Sequence, residues 1–221
     1  MSKTVLITGA NRGIGLALVQ NYVAQGDEVF AICRKPSQEL VASGATIIEG
    51  IDVTDAENIA KLKSHLADQK IDLLINNAGI LRSTSLSNMD YAEILKQFEV
   101  NAVAPLRVVE ALLTNLEEGS KIAMITSRMG SIDDNTSGGG YGYRMSKTAL
   151  NIGSKSLAID LKPKGIAVAI LHPGYVQTEM VNFGGDISSS VCAERLVARI
   201  TGLNLENSGT FWHSNGEVLP W

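Results

Sequence analysis

Tyr143 and Lys147 stand four residues apart in Tyr143-Arg144-Met145-Ser146-Lys147, with Ala149, Leu150, Ile152, Leu157, Ala158 and Ile159 following at helical spacing. Four residues on a helix put two side chains on one face, one turn apart. A phenol and an ammonium held that way form a proton-transfer pair. The neighbouring cation is expected to draw the Tyr143 pKa below its reference of about 10. Tyr141 is also present, but four residues beyond it comes Met145. Only Tyr143 pairs with a lysine.

A second group of residues belongs to phosphate chemistry. Thr8-Gly9-Ala10-Asn11-Arg12-Gly13-Ile14-Gly15 follows a short apolar run and opens a helical pattern. Gly9, Gly13 and Gly15 permit a tight turn, close backbone approach to a pyrophosphate, and tight packing of helix on strand. The helix N-terminus then offers free N–H groups and a positive dipole end to an anion. The spacing G-x-x-x-G-x-G differs from the G-x-G-x-x-G of other dinucleotide-binding proteins. The next strand ends Ile32-Cys33-Arg34-Lys35, where an acid would bind a ribose 2′-hydroxyl and an arginine accommodates a 2′-phosphate. Arg34 at that tip, with Arg12 in the glycine turn, favours NADP(H), with NAD(H) as the alternative.

The elements that must position these groups alternate along the chain. Seven strand-like runs occur: Val5–Ile7, Glu28–Ile32, Ala45–Ile48, Asp72–Ile75, Lys121–Thr126, Ile166–Leu171 and Gly209–Trp212. Helical patterns separate them. One carries Ile14, Leu16, Leu18, Tyr22 and Val23; another, capped by Thr54 or Asp55, carries Ile59, Leu62 and Leu66. A long helix is expected from Tyr91 to Leu116 with a bend at Pro105, and a further helix around Val191, Leu196, Val197 and Ile200. Near-continuous apolar strands between helices predict a single α/β domain over residues 1–221, a doubly wound parallel sheet of the Rossmann type flanked by helices on both faces. In that architecture ligands bind at the carboxyl ends of the strands.

Composition excludes several classes. The 221 residues are 45% hydrophobic with net charge −4 and no basic run, so no nucleic-acid footprint is present. No apolar run reaches spanning length, and Met1–Thr8 is too short a run for a signal peptide, so no membrane association is expected. Cys33 and Cys192 make no disulfide framework, and with His65, His172 and His213 they make no metal spacing. Reduced thiols in a cytoplasmic protein are expected.

With the glycine turn and the Tyr143–Lys147 pair both in view, the chain resembles the short-chain dehydrogenase/reductase family over essentially its whole length. Asp52-Val53, Asn76-Asn77-Ala78-Gly79, Asn101 in Val100-Asn101-Ala102, Ser127, and Pro173-Gly174 match further family motifs in the family's order. Asn11-Arg12-Gly13, the loop Gly130 to Gly140, His172-Pro173-Gly174 and the ending Gly216 to Trp221 resemble a small-sized branch that includes the sniffer-type carbonyl reductases and bacterial C-factor proteins. The distance from Ser127 to Tyr143 is a few residues longer than in the commoner family pattern.

The resemblance implies a catalytic set of Asn101, Ser127, Tyr143 and Lys147. Tyr143 would exchange a proton with a carbonyl oxygen, Lys147 would bind the nicotinamide ribose, Ser127 the substrate oxygen, and Asn101 a water near Lys147. It also implies cofactor contacts from Gly9, Asn11, Arg12, Gly13, Ile14 and Gly15, from Arg34, Asp52 and Val53, and from Asn77, Ala78 and Gly79. Pro173, Gly174, Val176 and Thr178, together with Tyr143 and Lys147, complete that set. Ser131 rivals Ser127 as the substrate-facing serine, and family alignment favours Ser127. Asp133 and Asp134 read as a solvated loop. Glu179 to Ser190 would form a short lid with Gly184-Gly185 as hinge, and Met129, Tyr175, Met180 and Phe183 would line the pocket. The implied substrate is a small carbonyl compound or alcohol. A homodimer or homotetramer is implied through the long helix and the Tyr143 helix, with Leu95, Phe98 and Leu106 on one outer face and Leu150 and Leu157 on the other. A C-factor-like signalling protein that binds the dinucleotide with little turnover, and an NAD-linked alcohol or sugar dehydrogenase, are the alternative readings.

Overall fold

The computed structural model describes residues 2–221. Strands β1 (Thr4–Thr8), β2 (Glu28–Ile32), β3 (Thr46–Ile48), β4 (Leu73–Asn76), β5 (Lys121–Ile125), β6 (Ala167–His172) and β7 (Phe211–His213) form one sheet. Its order is β3-β2-β1-β4-β5-β6-β7, and every neighbouring pair is parallel. The chain therefore winds outward in one direction from β1 and then in the other from β4. The crevice at that reversal is where such sheets bind ligands. No helix among the described residues is long and apolar enough to cross a membrane.

Helices α1 (Gly13–Ala24), α2 (Gln38–Val41), α3 (Ala56–Leu66), α4 (Tyr91–Phe98), α5 (Ala104–Ala111), α6 (Tyr141–Leu161) and α7 (Ser189–Thr201) complete the layers. Alternate strand residues point to opposite faces, and both faces are buried. Val5, Ile7, Val29 and Ile75 meet Leu18, Val19 and Tyr22 of α1 and Leu196 and Ile200 of α7. Leu6, Ile32, Leu74, Ile122 and Met124 meet Leu62 of α3, Val108 of α5 and Leu150 of α6. That double burial is why the strands read as continuous apolar runs.

Several expectations change in detail. Asp55 caps α3, its side chain accepting from the Asn58 N–H at 2.8 Å. The expected long helix is broken: α4 ends at Phe98, a π turn spans Glu99–Val103, and α5 begins at Ala104. Pro105 has no N–H, so the helix cannot run on regularly into it, and the π turn absorbs the interruption just upstream. Leu150 is only 1% exposed and belongs to the core, so it presents no outer face. The exposed apolar residues of α6 are Met145, Ile152 and Ile159, and Leu95 of α4 is exposed as well.

At the end of β6, His172 meets His213 of β7 edge to face, with ring centroids 4.8 Å apart. Burial, then His213 and Arg128, push its imidazole down to about 3. The folded state therefore keeps His172 neutral, whereas the unfolded chain protonates it near pH 6.5. Stability is present above that value and is lost as pH falls toward 3, by at most about 1.4 kcal/mol per pH unit. Urea unfolding at pH 7.5 and 5.5 should register a larger loss for wild type than for His172→Gln, by about 1 kcal/mol. Equal losses would show that His172 carries no such linkage.

Candidate active site

The glycine turn sits at the sheet's reversal point and is braced from the loop after β4. Asn77 donates through Nδ2 to the Thr8 and Gly9 carbonyls, each at 3.1 Å. The Thr8 hydroxyl in turn accepts from the backbone N–H groups of Asn77 and Ala78 at 3.1 and 3.2 Å. Gly9 has φ +64°, and a Cβ there would lie 2.8 Å from the Ala78 Cα; a Cβ on Gly15 would lie 2.2 Å from the Gly9 carbonyl oxygen. Glycine is required at both for the turn to close. Side chains cap α2, α3, α4 and α7, but none caps α1, whose first turn also carries no acid. Its free N–H groups suit an anion. Asn11 Oδ1 is buried beside this turn without a hydrogen-bond partner.

Around the turn, Arg12 pairs with Glu179 and Gly13 faces the Thr178 methyl. Arg34 is exposed at the tip of β2, where it acts on Asp52. Burial pushes the Asp52 carboxyl up, but bonds from the Thr54 N–H and hydroxyl, then Arg34, outweigh it and hold the carboxyl below its usual range. Val53, next in the chain, is half-buried. The Pro173 carbonyl is fixed by the Cys192 thiol and the Ser214 hydroxyl, which donate to it at 3.4 and 2.8 Å. Gly174 follows with φ +98°, and Val176 is buried in a bridge to Ile187.

Tyr143 and Lys147 occupy the first two turns of α6, with Lys147 Nζ 5.8 Å from the Tyr143 ring centroid. Lys147 is 4% exposed, and its Nζ donates to the Ile125 carbonyl at 2.9 Å. Burial pushes the ammonium down to about 8. Burial also pushes the Tyr143 phenol up to about 12, against the opposing effect of the neighbouring Ser127 hydroxyl. The expectation that Lys147 would lower the Tyr143 pKa is thus overturned, because desolvation of the phenolate is the larger effect here. Ser127 is 8% exposed at the end of β5, and its oxygen accepts from the Met129 N–H at 3.1 Å. Asn101 lies in the π turn and is fully buried. Its Nδ2 donates to the Ile80 carbonyl at 2.8 Å and the Ser146 hydroxyl at 3.0 Å, and its Oδ1 accepts from the Ile80 N–H at 2.8 Å. A Cβ on Gly79 would meet Asn101 Oδ1 at 3.2 Å and Lys147 Nζ at 3.7 Å, so the three stand together.

A family model described as short chain dehydrogenase matches residues 3–186. The chain belongs to the short-chain dehydrogenase family. Among curated relatives it is 38% identical, over 99% of both chains, to 1-hydroxy-2-glutathionyl-2-methyl-3-butene dehydrogenase of Rhodococcus sp. (strain AD45). It is 43% identical to C-signal of Myxococcus xanthus over 68% of this chain and 93% of that one. Among solved structures it superposes with TM-score 0.90 and 31% identity on carbonyl reductase Sniffer of D. melanogaster, over all of both chains. It superposes equally well, at 31% identity over 100% and 99% of the two chains, on an NADPH-bound carbonyl reductase from chicken fatty liver.

For this short-chain dehydrogenase, the geometry also sorts the remaining candidates. Ser131 accepts from the Asp134 N–H at 3.1 Å and closes the loop turn, and Asp134 pairs with Arg128 at 2.6 Å. Met129 lines a groove of about 600 Å³ together with Ser131, Tyr141, Met145 and Ile152. In the lid the left-handed backbone falls on Asn182 and Phe183, not on Gly184 or Gly185. Three positioning residues escape sequence reading. Ser146 links Asn101 to the Tyr143 carbonyl, to which it donates at 2.8 Å. Thr84 accepts from the Gly142 N–H at 3.0 Å and so caps α6. Gln97, fully buried, accepts from the Arg82 N–H at 2.9 Å. Only Ser146 carries a sequence signal, because it lies inside the Tyr143–Lys147 segment. Asn101→Ala would strip partners from both Ile80 backbone groups and from Ser146, and should cost about 1–3 kcal/mol in urea unfolding. A loss under about 0.5 kcal/mol would mean that the loop after β4 does not depend on that amide.

Proposed function

We propose that this chain is an NADP(H)-dependent oxidoreductase acting between a carbonyl and an alcohol, working as a carbonyl reductase of broad specificity through Asn101, Ser127, Tyr143 and Lys147. The observation that carries the reading is the Tyr143 phenol set beside the Ser127 hydroxyl, with the buried Lys147 one helical turn on. The bound dinucleotide supplies the hydride. The uncapped N-terminus of α1 fits an anionic group, and the unpartnered Asn11 oxygen, an acceptor, fits a cofactor hydroxyl beside it, so Gly9, Asn11, Arg12, Gly13, Ile14 and Gly15 would hold the pyrophosphate end. Arg34, Asp52 and Val53 would hold the adenosine end. Asn77, Ala78 and Gly79 would border the cofactor from the β4 side, and Pro173, Gly174, Val176 and Thr178 from the β6 side.

Tyr143 gives its proton to the substrate oxygen, and a phenol with a pKa about 12 carries that proton throughout the neutral range. Ser127 stabilises the charge that develops on the same oxygen. Lys147 spends one of its three N–H donors on Ile125, which leaves two for a ribose hydroxyl and a water. The Asn101 side-chain amide has no free N–H left, so a water would be held by its backbone carbonyl. That carbonyl lies four residues before Pro105 and lacks an α-helical donor. Tyr175 just before the lid, and Met180 and Phe183 on it, are exposed and favour apolar or aromatic carbonyls. The likeness to C-signal favours a second reading, a signalling protein that binds the dinucleotide with little turnover. The complete set of four reactive side chains supports the enzyme.

NADPH oxidation with aldehydes, ketones, quinones and a glutathione-conjugated alcohol's carbonyl partner tests both readings. Tyr143→Phe should lower kcat about 10²–10⁴-fold. No turnover by wild type across the panel, with NADPH still bound, would favour the signalling reading. Arg34→Ala should weaken NADPH binding by about 10- to 100-fold and leave NADH binding nearly unchanged. An unaltered NADPH/NADH ratio in a binding titration would remove Arg34 from the 2′-phosphate.

A further inference from the structure

Tyr143, Lys147 and Asn151 follow one another at four-residue intervals along α6, so their side chains share one face. Asn151 is 2% exposed, and its amide reaches the strand end that carries Ser127. Its Oδ1 accepts from the Thr126 hydroxyl at 2.6 Å, and its Nδ2 donates to the Gly130 carbonyl at 3.3 Å. Thr126 immediately precedes Ser127, and Gly130 closes the 3₁₀ turn Arg128–Gly130 that follows it. One amide therefore grips both ends of the segment that presents Ser127.

The rest of the clamp is equally close. The Thr148 hydroxyl donates to the same Gly130 carbonyl at 2.9 Å, and the Thr126 hydroxyl lies 3.4 Å from the Lys147 carbonyl. A Cβ on Gly130 would stand 2.7 Å from the Lys147 carbonyl carbon, so the turn touches the helix backbone at the lysine itself. Apolar side chains of the same size would hold strand and helix together without fixing direction. Hydrogen bonds weaken steeply with angle and so set a register.

We propose that Asn151 and Thr126 are positioning residues that set where the Ser127 hydroxyl stands relative to the Tyr143 phenol and the substrate oxygen. This rests on the reading of Ser127 and Tyr143 as reacting groups. Donors aimed at developing charge act only within a narrow range of position, and a shift of about 1 Å can cost 10²-fold.

The test compares Asn151→Leu, Thr126→Val, Thr126→Ser and Ser127→Ala with wild type. The readouts are NADPH affinity, kcat, KM and the pH dependence of kcat, with the aldehyde or ketone that wild type reduces best. Asn151→Leu and Thr126→Val should bind NADPH within about twofold of wild type yet lose about 10- to 100-fold in kcat. The limb of the pH profile that depends on Tyr143 should move to higher pH in both, because the displaced Ser127 hydroxyl no longer opposes the rise of the phenol. Thr126→Ser keeps the hydroxyl and should stay within about threefold of wild-type kcat. Wild-type kcat and pH profile in Thr126→Val, with Ser127→Ala impaired, would reject the clamp while leaving the proposed site intact. Wild-type kcat in Ser127→Ala would overturn the reading of the site and the clamp with it. If Asn151→Leu does not fold, Thr126→Val, which removes one hydroxyl and keeps the shape, decides alone.

Discussion

An ammonium held out of water is the condition on which the rest of this molecule depends. Lys147 rests on one backbone carbonyl, that of Ile125, and burial moves its pKa from 10.5 to about 8. The corresponding penalty is on the order of 3 kcal/mol. Fully burying one large aliphatic side chain contributes about 1.5–3 kcal/mol, so one or two of the wholly buried strand residues offset it. The clusters on the two faces of the sheet supply many more than that. A large, doubly covered sheet can therefore carry a charged group at the ends of its strands.

The polar groups around Lys147 are placed by the same rule, since each buried donor or acceptor needs a partner. Asn101 is spent on Ile80 and Ser146, Ser146 on Tyr143, Thr84 on the start of α6, and Gln97 on Arg82. This ties α4, the π turn and the loop after β4 to the first turn of α6. The break in the long helix serves that arrangement, because the π turn carries Asn101 toward α6 while Pro105 starts α5 against the sheet. On the cofactor side the pattern reverses. The α1 N-terminus keeps free N–H groups, as a site for an anion requires, and Asn11 Oδ1 is left to accept from a hydroxyl beside it.

Much of this was legible in the sequence, for physical reasons that differ by element. The strands stood out because both faces are buried, so nothing polar interrupts them. The glycine turn stood out because its glycines allow contacts that no side chain permits. The break at the π turn was not legible beyond the bend expected at Pro105, since one extra residue in a helical turn leaves local hydrophobic spacing almost intact. Leu150 and Ile152 lie two residues apart on one helix, and only the packing of α6 against the sheet decides that the first is core and the second exposed.

By itself the sequence determined the fold class, the family and the tyrosine that pairs with a lysine, because each rests on local spacing and on the order of motifs. Tertiary structure decided what depends on partners far apart in the chain. Arg12 meets Glu179 across 167 positions, and Thr126 meets Asn151 across 25. It also reversed the direction of the Tyr143 shift. Spacing places a cation near the phenol, but how much water the fold removes from both is a property of the packed molecule, and that removal is the larger effect.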